Sequence, residues 1–382
     1  MVADVQRLFT PPKGSYFLLG PRGCGKSTWL RALHPRAHWV DLLDEGVHHD
    51  YLVDPSLFGA ELEALPNGSL VVVDEVQRLP GLLNTVHQKI ESKRLRFALS
   101  GSSARKLRRG GVNLLAGRAV RRQLYPFVPE ELGSEFRLAR ALEIGSLPVI
   151  WRSPEPADAL AAYVRLYLRE EIQAEAATRN LAGFARFLPI AGLFHGQTLN
   201  VSALARDAGV ARSTVQGYLE ILEDTLLTFT LPAYEGRLRV REKKHPKLYW
   251  IDAGLARAAR QESGPPSAEA MGALFEGWVA MLLSAYRDYR GLHDEMFYWS
   301  PAEAKGTEVD FLLRRGRKFV AIEVKASRRL KPEFLKGLRA VADLPGLERR
   351  LLVYLGDRVL EPEPGIEVLP VASFHALLES GL

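Results

Sequence analysis

Eight consecutive residues, Gly20-Pro-Arg-Gly-Cys-Gly-Lys-Ser27, combine the groups that grip a polyphosphate. Gly20, Gly23 and Gly25 let the backbone curl with its N–H groups turned inward, and the start of a following helix adds partial positive charge. Lys26 is expected to reach the outer phosphates and the Ser27 hydroxyl to ligate Mg²⁺. Pro21, Arg22, Cys24 and Thr28 complete the loop, Cys24 as a small spacer. Tyr16-Phe-Leu-Leu19 ahead reads as a short buried strand and Thr28-Trp-Leu-Arg-Ala-Leu33 behind as a helix. That strand–loop–helix context separates a phosphate-binding P-loop from a chance glycine-rich turn. The expected ligand is a nucleoside triphosphate, ATP, with Mg²⁺.

A second acidic signal follows. Ser69-Leu-Val-Val-Val73 is a continuous apolar strand ending in Asp74-Glu75. Beside a triphosphate, Asp74 would hold Mg²⁺ through water and Glu75 would orient the attacking water. Alone, an acidic pair after a strand is more often a helix cap; the upstream loop favours the catalytic role. Leu95-Arg-Phe-Ala-Leu99 leads into Ser100-Gly-Ser-Ser103, where Ser100 or Ser102 would sense the γ-phosphate or merely cap a helix. Asn113-Leu-Leu-Ala-Gly-Arg-Ala-Val120 carries Arg118, a candidate transition-state arginine that would act within the chain or across a subunit boundary. Arg121 and Arg122 follow immediately, and a surface or DNA contact is the alternative role for any of the three.

Near the other end, Glu308-Val-Asp-Phe-Leu-Leu313, a turn through Arg315-Gly316, and Phe319-Val-Ala-Ile-Glu-Val-Lys325 read as a hairpin. Asp310 and Glu323 alternate with apolar neighbours and so project from adjacent strands toward one spot, with Lys325 on the face of Glu323. Glu276 lies on the amphipathic run Ala273-Leu-Phe-Glu-Gly-Trp-Val-Ala-Met-Leu-Leu283. Such a set suits metal-dependent phosphodiester cleavage: Asp310, Glu323 and Glu276 would bind Mg²⁺ or Mn²⁺, and Lys325 would position or activate water. The bland alternative is a structural salt bridge.

Between the two, Leu199–Val210 and Ala211–Leu222 read as helix-turn-helix, with Ser202 as cap, Gly209 at the turn and a buried stripe of Val215, Tyr218, Leu219 and Leu222. Arg212, Ser213, Thr214 and Gln216 remain on the exposed face. Two strands then flank a basic tip, Gly236-Arg-Leu-Arg-Val-Arg-Glu-Lys-Lys-His-Pro-Lys247, the layout of a winged helix with its wing. Arg237, Arg239, Arg241, Lys243 and Lys244 would meet a nucleic-acid backbone, which supplies affinity without sequence choice. Winged helices also serve as protein-binding or lid modules. Tyr163 and Tyr167, one turn apart, fit core packing better than base stacking, and His195 stands alone.

The elements that position these groups divide the chain in three. Residues 1–135 alternate apolar strands with amphipathic helices, the mark of a parallel α/β sheet. Residues 136–262 are mainly helical, Gln261-Glu-Ser-Gly-Pro-Pro-Ser267 is a linker, and 268–382 form a second α/β unit. Length (382 residues) requires more than one core, and 47% hydrophobic with 25% charged residues is globular composition. One cysteine excludes an internal disulfide framework and a thiolate metal site. Net charge of +6 admits a polyanionic partner. No apolar run approaches bilayer length, and Met1–Thr10 carries Asp4 without a secretory h-region, so a cytoplasmic protein with no membrane partner is expected.

Gly20 to Ser27, Asp74-Glu75-Val-Gln77, Leu99-Ser-Gly-Ser102 and Leu115-Ala-Gly-Arg118 together resemble the prokaryotic AAA-type ATPases that carry a C-terminal domain of unknown function. The resemblance extends to Gly145-Ser-Leu-Pro148, Lys247-Leu-Tyr-Trp-Ile-Asp-Ala-Gly254 and Phe275-Glu276. The Asp310, Glu323 and Lys325 set is similar to the PD-(D/E)XK restriction-endonuclease fold, with Val309 where that motif has proline. The resemblance implies architecture more firmly than substrate. Taken with the residue readings above, an AAA-type ATPase domain, a helical lid with a winged-helix module and a nuclease-like domain are expected, in a DNA-acting protein that forms a homo-oligomer through the ATPase domain. A DNA-binding or branch-migration ATPase without cleavage, and a signalling NTPase whose C-terminal modules bind proteins, are the alternatives.

Overall fold

In the computed structural model, which describes residues 6–103, 115, 117–167, 181–236, 244–302 and 306–382, the apolar runs fall inside three sheets, one in the first of two compact units and two in the second. The first unit comprises residues 1–127 with Leu147–Val149 and Leu222–Leu227; the second holds the remainder. The central region and the C-terminal α/β segment, expected as separate domains, therefore share one unit. Contacts within it give the reason: Phe136 stacks on Trp278 at 5.8 Å, and the Tyr249 hydroxyl donates to Glu276 at 2.5 Å.

The first unit is a five-stranded parallel sheet in the order β2-β3-β4-β1-β5. Its strands are β1 (Ser15–Leu19), β2 (His38–Asp41), β3 (Leu70–Asp74), β4 (Arg96–Gly101) and β5 (Ala119–Gln123). Helices α1 (Lys26–Leu33), α2 (Glu45–Val53), α3 (Ser56–Ala64) and α4 (Leu82–Lys93) connect them. A strand covered on both faces reads as an unbroken apolar run, as β1 and β3 do. Phe17, Leu19, Val71, Val73, Phe97 and Leu99 pack with Phe58, Leu62, Leu83 and Val86 to form the core. Because β4 lies between β1 and β3, pairing Leu19 with Gly101 and Val73 with Leu99, their carboxyl ends lie side by side. Gly20, Asp74 and Ser100 are thereby brought together. β5, an edge strand of sequence AVRRQ, escapes apolar periodicity; its Arg121 is exposed.

The second unit begins with helices α5 (Leu138–Ile144) and α6 (Pro156–Ala162) and continues in α7 (Leu181–Leu193), β6 (Gln197–Thr198), α8 (Val201–Ala208) and α9 (Arg212–Asp224). Strands β7 (Thr228–Leu231) and β8 (Lys247–Trp250) are antiparallel and join β6 in the order β6-β8-β7. Helix α8 is capped by Asn200, whose side chain accepts from Ala203 N at 3.0 Å, not by Ser202: the helix starts at Val201, so Ser202 already lies within its first turn. Gly209 ends it in the left-handed region at φ 62°. Val215, Tyr218, Ile221 and Leu222 are buried on α9 while Leu219 is half-buried, and Phe184 and Phe187 of α7 pack on Tyr218. Tyr163 is buried, as expected of core; the side chain of Tyr167 and residues 237–243 of the basic tip lie outside the description.

Helix α10 (Ala253–Ala259) leads to α11 (Ala268–Arg290), followed by β9 (Glu295–Trp299), β10 (Val309–Arg315) and β11 (Lys318–Lys325). After α12 (Lys336–Ala340) come β12 (Leu347–Tyr354), β13 (Leu360–Glu363), β14 (Ile366–Pro370) and α13 (Val371–Ser380). The six strands form a mixed sheet ordered β13-β14-β12-β11-β10-β9. At 23 residues α11 is long and apolar enough to cross a bilayer, contrary to the reading that no run approaches that length. Most of its apolar surface is nevertheless covered by protein, from Leu274 and Phe275 through Tyr286. Glycine is required where chains touch: a Cβ on Gly254 at the start of α10 would lie 2.2 Å from the Ile144 carbonyl oxygen.

Candidate functional sites

The loop after β1 curls because Gly23 and Gly25 take φ of 75° and 88°, a region costly for other residues. Gly20 serves differently, since a Cβ there would lie 2.5 Å from the Leu124 carbonyl oxygen and 2.8 Å from Cys24 Sγ. Lys26 is buried, its ammonium donating to the carbonyls of Gly20 at 2.9 Å and Pro21 at 3.2 Å. Cys24 is buried as a spacer, while Arg22 and Thr28 face solvent. Arg7, to which no role attaches in the sequence, braces the loop from outside. Its guanidinium donates to Cys24 O at 3.0 Å and Tyr125 O at 2.5 Å and covers the Phe127 ring at 5.0 Å. Val149 N–H donates to Gly23 O at 3.2 Å.

Asp74 closes the other side of this site. It is 1% exposed, and burial raises its pKa above the usual carboxylate range even though the Ser100 and Ser27 hydroxyls hydrogen bond to it. A buried carboxylate beside a serine hydroxyl is a set of hard oxygen donors suited to Mg²⁺. The Ser100 hydroxyl also accepts the backbone N–H of Glu75 at 3.2 Å. Glu75 itself sits at φ 55° and ψ 45°, strained for a residue with a Cβ. Its carboxylate accepts from Gln77 Nε2 and from Ser102 Oγ, the latter at 3.1 Å, and Gln77 also donates to Ser102 at 3.1 Å. Of the two candidate serines, Ser100 thus holds Asp74 and Ser102 holds Glu75. Gln77, quoted in the sequence only as part of a motif, is the hinge of that network.

Arg118 is placed apart from these groups. It immediately precedes β5, level with the start of β1, and pairs with Glu91 near the end of α4. The P-loop follows the far end of β1, about 16 Å of strand away. Within its own chain Arg118 therefore does not approach Lys26 or Glu75.

In the second unit, Glu276, Asp310, Glu323 and Lys325 converge. Hairpin register sets Asp310 across from Glu323, because Phe311 pairs with Ile322. Lys325 Nζ lies 2.5 Å from Glu323 Oε1 and 3.7 Å from Asp310 Oδ2, which also accepts Val324 N–H at 2.8 Å. Glu276 reaches the same spot from α11, accepting the Tyr249 hydroxyl at 2.5 Å. Sequence reasoning missed two members. Glu308, just before β10, brings a carboxylate oxygen within 4.8 Å of those of Glu276 and Asp310. Lys247, expected at the end of the basic tip, is instead 3% exposed and lies among the acids. Its Nζ is 2.9 Å from Glu276 Oε1 and 3.6 Å from Asp310 Oδ1, and it also bonds Glu308.

Charge and burial oppose each other in this cluster. Burial raises Glu276 to about 7 although Lys247 pulls it down, and raises Glu323 well above its ordinary value. Asp310 is held below its ordinary value: burial would raise it, but Lys325 and Lys247 outweigh that. Glu323 Oε2 is buried with no hydrogen-bond partner among the described residues. Three carboxylates within 4.8 Å and an unsatisfied fourth fit a hard divalent cation, Mg²⁺ or Mn²⁺.

Comparison with known proteins assigns three family matches. Residues 13–133 match an AAA domain, residues 135–265 a domain of unknown function (DUF8612), and residues 271–374 a second domain of unknown function (DUF4143). The uncharacterized proteins Rv2008c of Mycobacterium tuberculosis and Mb2031c of Mycobacterium bovis are each 26% identical over 377 residues, spanning 94% of this chain and 82% of the relative. Among solved structures, Aeropyrum pernix ORC1 in complex with DNA aligns over 66% of this chain and 87% of its own, at 13% identity and a TM-score of 0.30. Protein VC1899 from Vibrio cholerae aligns over 96% of both chains at 12% identity and a TM-score of 0.23. Scores of this size do not amount to a shared overall fold. The family match and the parallel sheet that carries the loop agree: residues 13–133 are an AAA-type ATPase domain.

Proposed function

We propose that the chain hydrolyses ATP and acts on DNA, coupling its AAA-type domain to a winged-helix module and a metal-dependent nuclease-like site. The observation that carries the hydrolytic half is the Glu75–Gln77–Ser102 network, which holds one carboxylate in a fixed, strained position beside the P-loop. Bound Mg²⁺ supplies charge neutralisation between phosphate oxygens. The chain's own residues do the rest. Loop amides and Lys26 hold the phosphates, Ser27 and Asp74 supply metal-facing oxygens, and Glu75 aligns water for in-line attack. Arg118, remote from its own P-loop, is assigned to the site of a neighbouring subunit in a homo-oligomer. ATPase activity per chain then rises with concentration and is lost in Arg118→Ala; a flat dependence removes that role.

The element order α7-β6-α8-α9-β7-β8 supports the winged-helix reading, with Arg212, Ser213 and Gln216 exposed on α9. Lys244 is exposed beside it, and Arg239 and Arg241 belong to the same basic run. A DNA affinity that falls steeply with salt, and weakens when Arg239, Arg241 and Lys244 are neutralised, is expected. No DNA binding at low salt would favour the protein-binding signalling switch. A chain of this kind works in the cytoplasm.

For the nuclease-like site, Asp310, Glu276 and Glu323 would hold the cation and Lys325 would orient water. Plasmid nicking with Mn²⁺ by the wild type but not by Asp310→Ala supports cleavage; equal nicking by both rejects it. The position of Lys247 favours a site that is silent in the resting chain, closer to the DNA-binding ATPase without cleavage.

A further inference from the structure

We infer that the Lys247 ammonium is a built-in counter-ion occupying the place of the divalent cation, so that metal enters the second-unit site only when Lys247 leaves it. The inference rests on the reading of Glu276, Asp310 and Glu323 as a metal site and concerns how that site is controlled.

Three observations carry it. The three carboxylates that converge to within 4.8 Å, Glu276, Glu308 and Asp310, are the same three that Lys247 Nζ contacts. A divalent ion needs those oxygens at about 2 Å to 2.6 Å, and so needs the volume that the ammonium fills. Lys247 is 3% exposed and Tyr298 lies beneath its Nζ, the ring centroid 5.5 Å away, so the ammonium is enclosed and is not a passing surface contact. Lastly, carboxylates outnumber ammonium groups in the cluster. Four carboxylates (Glu276, Glu308, Asp310 and Glu323) face two ammonium groups (Lys247 and Lys325), and Glu323 Oε2 has no hydrogen-bond partner among the described residues. One lysine closes the site without satisfying it. Two cations in that volume repel, so lysine and metal exclude each other.

The two lysines of the cluster come from different elements. Lys247, the plug, is the first residue of β8 and pairs with Leu231 of β7 and Thr198 of β6. Lys325 sits on the hairpin that carries Asp310 and Glu323.

The test measures Mn²⁺ binding to the intact, nucleotide-free chain by electron paramagnetic resonance. The samples are wild type, Lys247→Met, Lys247→Met/Glu308→Gln and Lys247→Met/Asp310→Asn. We expect Lys247→Met to bind roughly 10-fold to 100-fold more tightly than wild type, and Asp310→Asn to abolish the gain. Equal affinity of wild type and Lys247→Met overturns the plug and leaves the metal site standing. Absence of Mn²⁺ binding in every protein overturns the metal site and the plug with it. Should Lys247→Met unfold without metal, Mn²⁺ must restore its melting transition, and Lys247→Met/Glu308→Gln, with one buried charge fewer, must fold and bind. Failure of both variants to fold in Mn²⁺ also overturns the inference.

Discussion

The Ser100 hydroxyl donates to Asp74 while accepting the backbone N–H of Glu75 at 3.2 Å. One side chain at the end of β4 thus fixes both acidic residues at the end of β3, and helps hold Glu75 in its left-handed conformation. Ser100→Ala removes both bonds from a buried carboxylate and a strained turn, a loss of about 1–3 kcal/mol. Asp74, whose pKa burial already raises, then goes higher still, since the Ser100 bond opposes that rise. ATP turnover is expected to fall about 10-fold or more, with the deficit widening toward acid pH as Asp74 takes up its proton. A pH–rate profile parallel to that of the wild type contradicts this role.

Gln77 separates binding from chemistry. Its hydrogen bonds among the described residues go to Glu75 and Ser102. Gln77→Leu keeps the side-chain volume but removes one of the two donors to the Glu75 carboxylate and leaves Ser102 as the other. Steady-state kinetics should show a fall in kcat of about 10-fold or more with the KM for ATP little changed. An equal rise in KM would make Gln77 part of the binding site.

Arg7 acts on the loop itself. Arg7→Ala leaves the carbonyls of Cys24 and Tyr125 without this donor in a buried place and uncovers the Phe127 ring. Loss of about 1–3 kcal/mol for each buried acceptor should appear as a lower melting temperature and weaker ATP binding. Arg7→Lys restores little, because a single ammonium does not reproduce a forked pair of donors. Unchanged melting and affinity in Arg7→Ala would deny the brace.

These residues mark the limit of what the sequence discloses. The P-loop and the acidic end of β3 are local: their chemistry lies within a few residues, and the flanking apolar runs declare the strands. The turn at Gly209 and the pairing of Asp310 with Glu323 are legible for the same reason, through backbone conformation and strand alternation. Arg7 meets Tyr125 across 118 positions and Lys247 meets Glu308 across 61, and no periodicity encodes either contact. Lys247 is also camouflaged, since it ends a run of cations and only burial separates it from Lys244. Gln77 is polar and short-range, yet its role depends on Ser102, which the topology of β3 and β4 supplies. The bilayer-length apolar span of α11 is hidden by the charged residues that interrupt the run, Glu269, Glu276, Arg287, Asp288 and Arg290.

His195 sets an acid limit on the second unit. Burial lowers its pKa to about 3 from the ordinary 6.5, with Arg260 adding to the effect, and its Nδ1 accepts the Trp250 N–H at 3.0 Å. The folded ring stays neutral while the unfolded one protonates below 6.5. The stability it contributes is therefore complete above that pH and is lost as pH falls toward 3, by on the order of 4 kcal/mol. His195→Asn keeps an acceptor for Trp250 without a titrating ring. It should be less stable than wild type at pH 7 and lose less between pH 6.5 and 4, as read by urea unfolding. Equal pH dependence in both proteins would assign the acid limit elsewhere.

Glu75→Gln tests the central claim, that this chain hydrolyses the nucleotide it grips. Calorimetry and phosphate release should be measured on the same preparations of wild type and variant. Both should take up Mg·ATP with affinities within a few-fold of each other, while turnover in the variant drops by about 100-fold or more. Wild-type turnover in Glu75→Gln, or no Mg·ATP uptake by the intact wild-type chain, would contradict the claim.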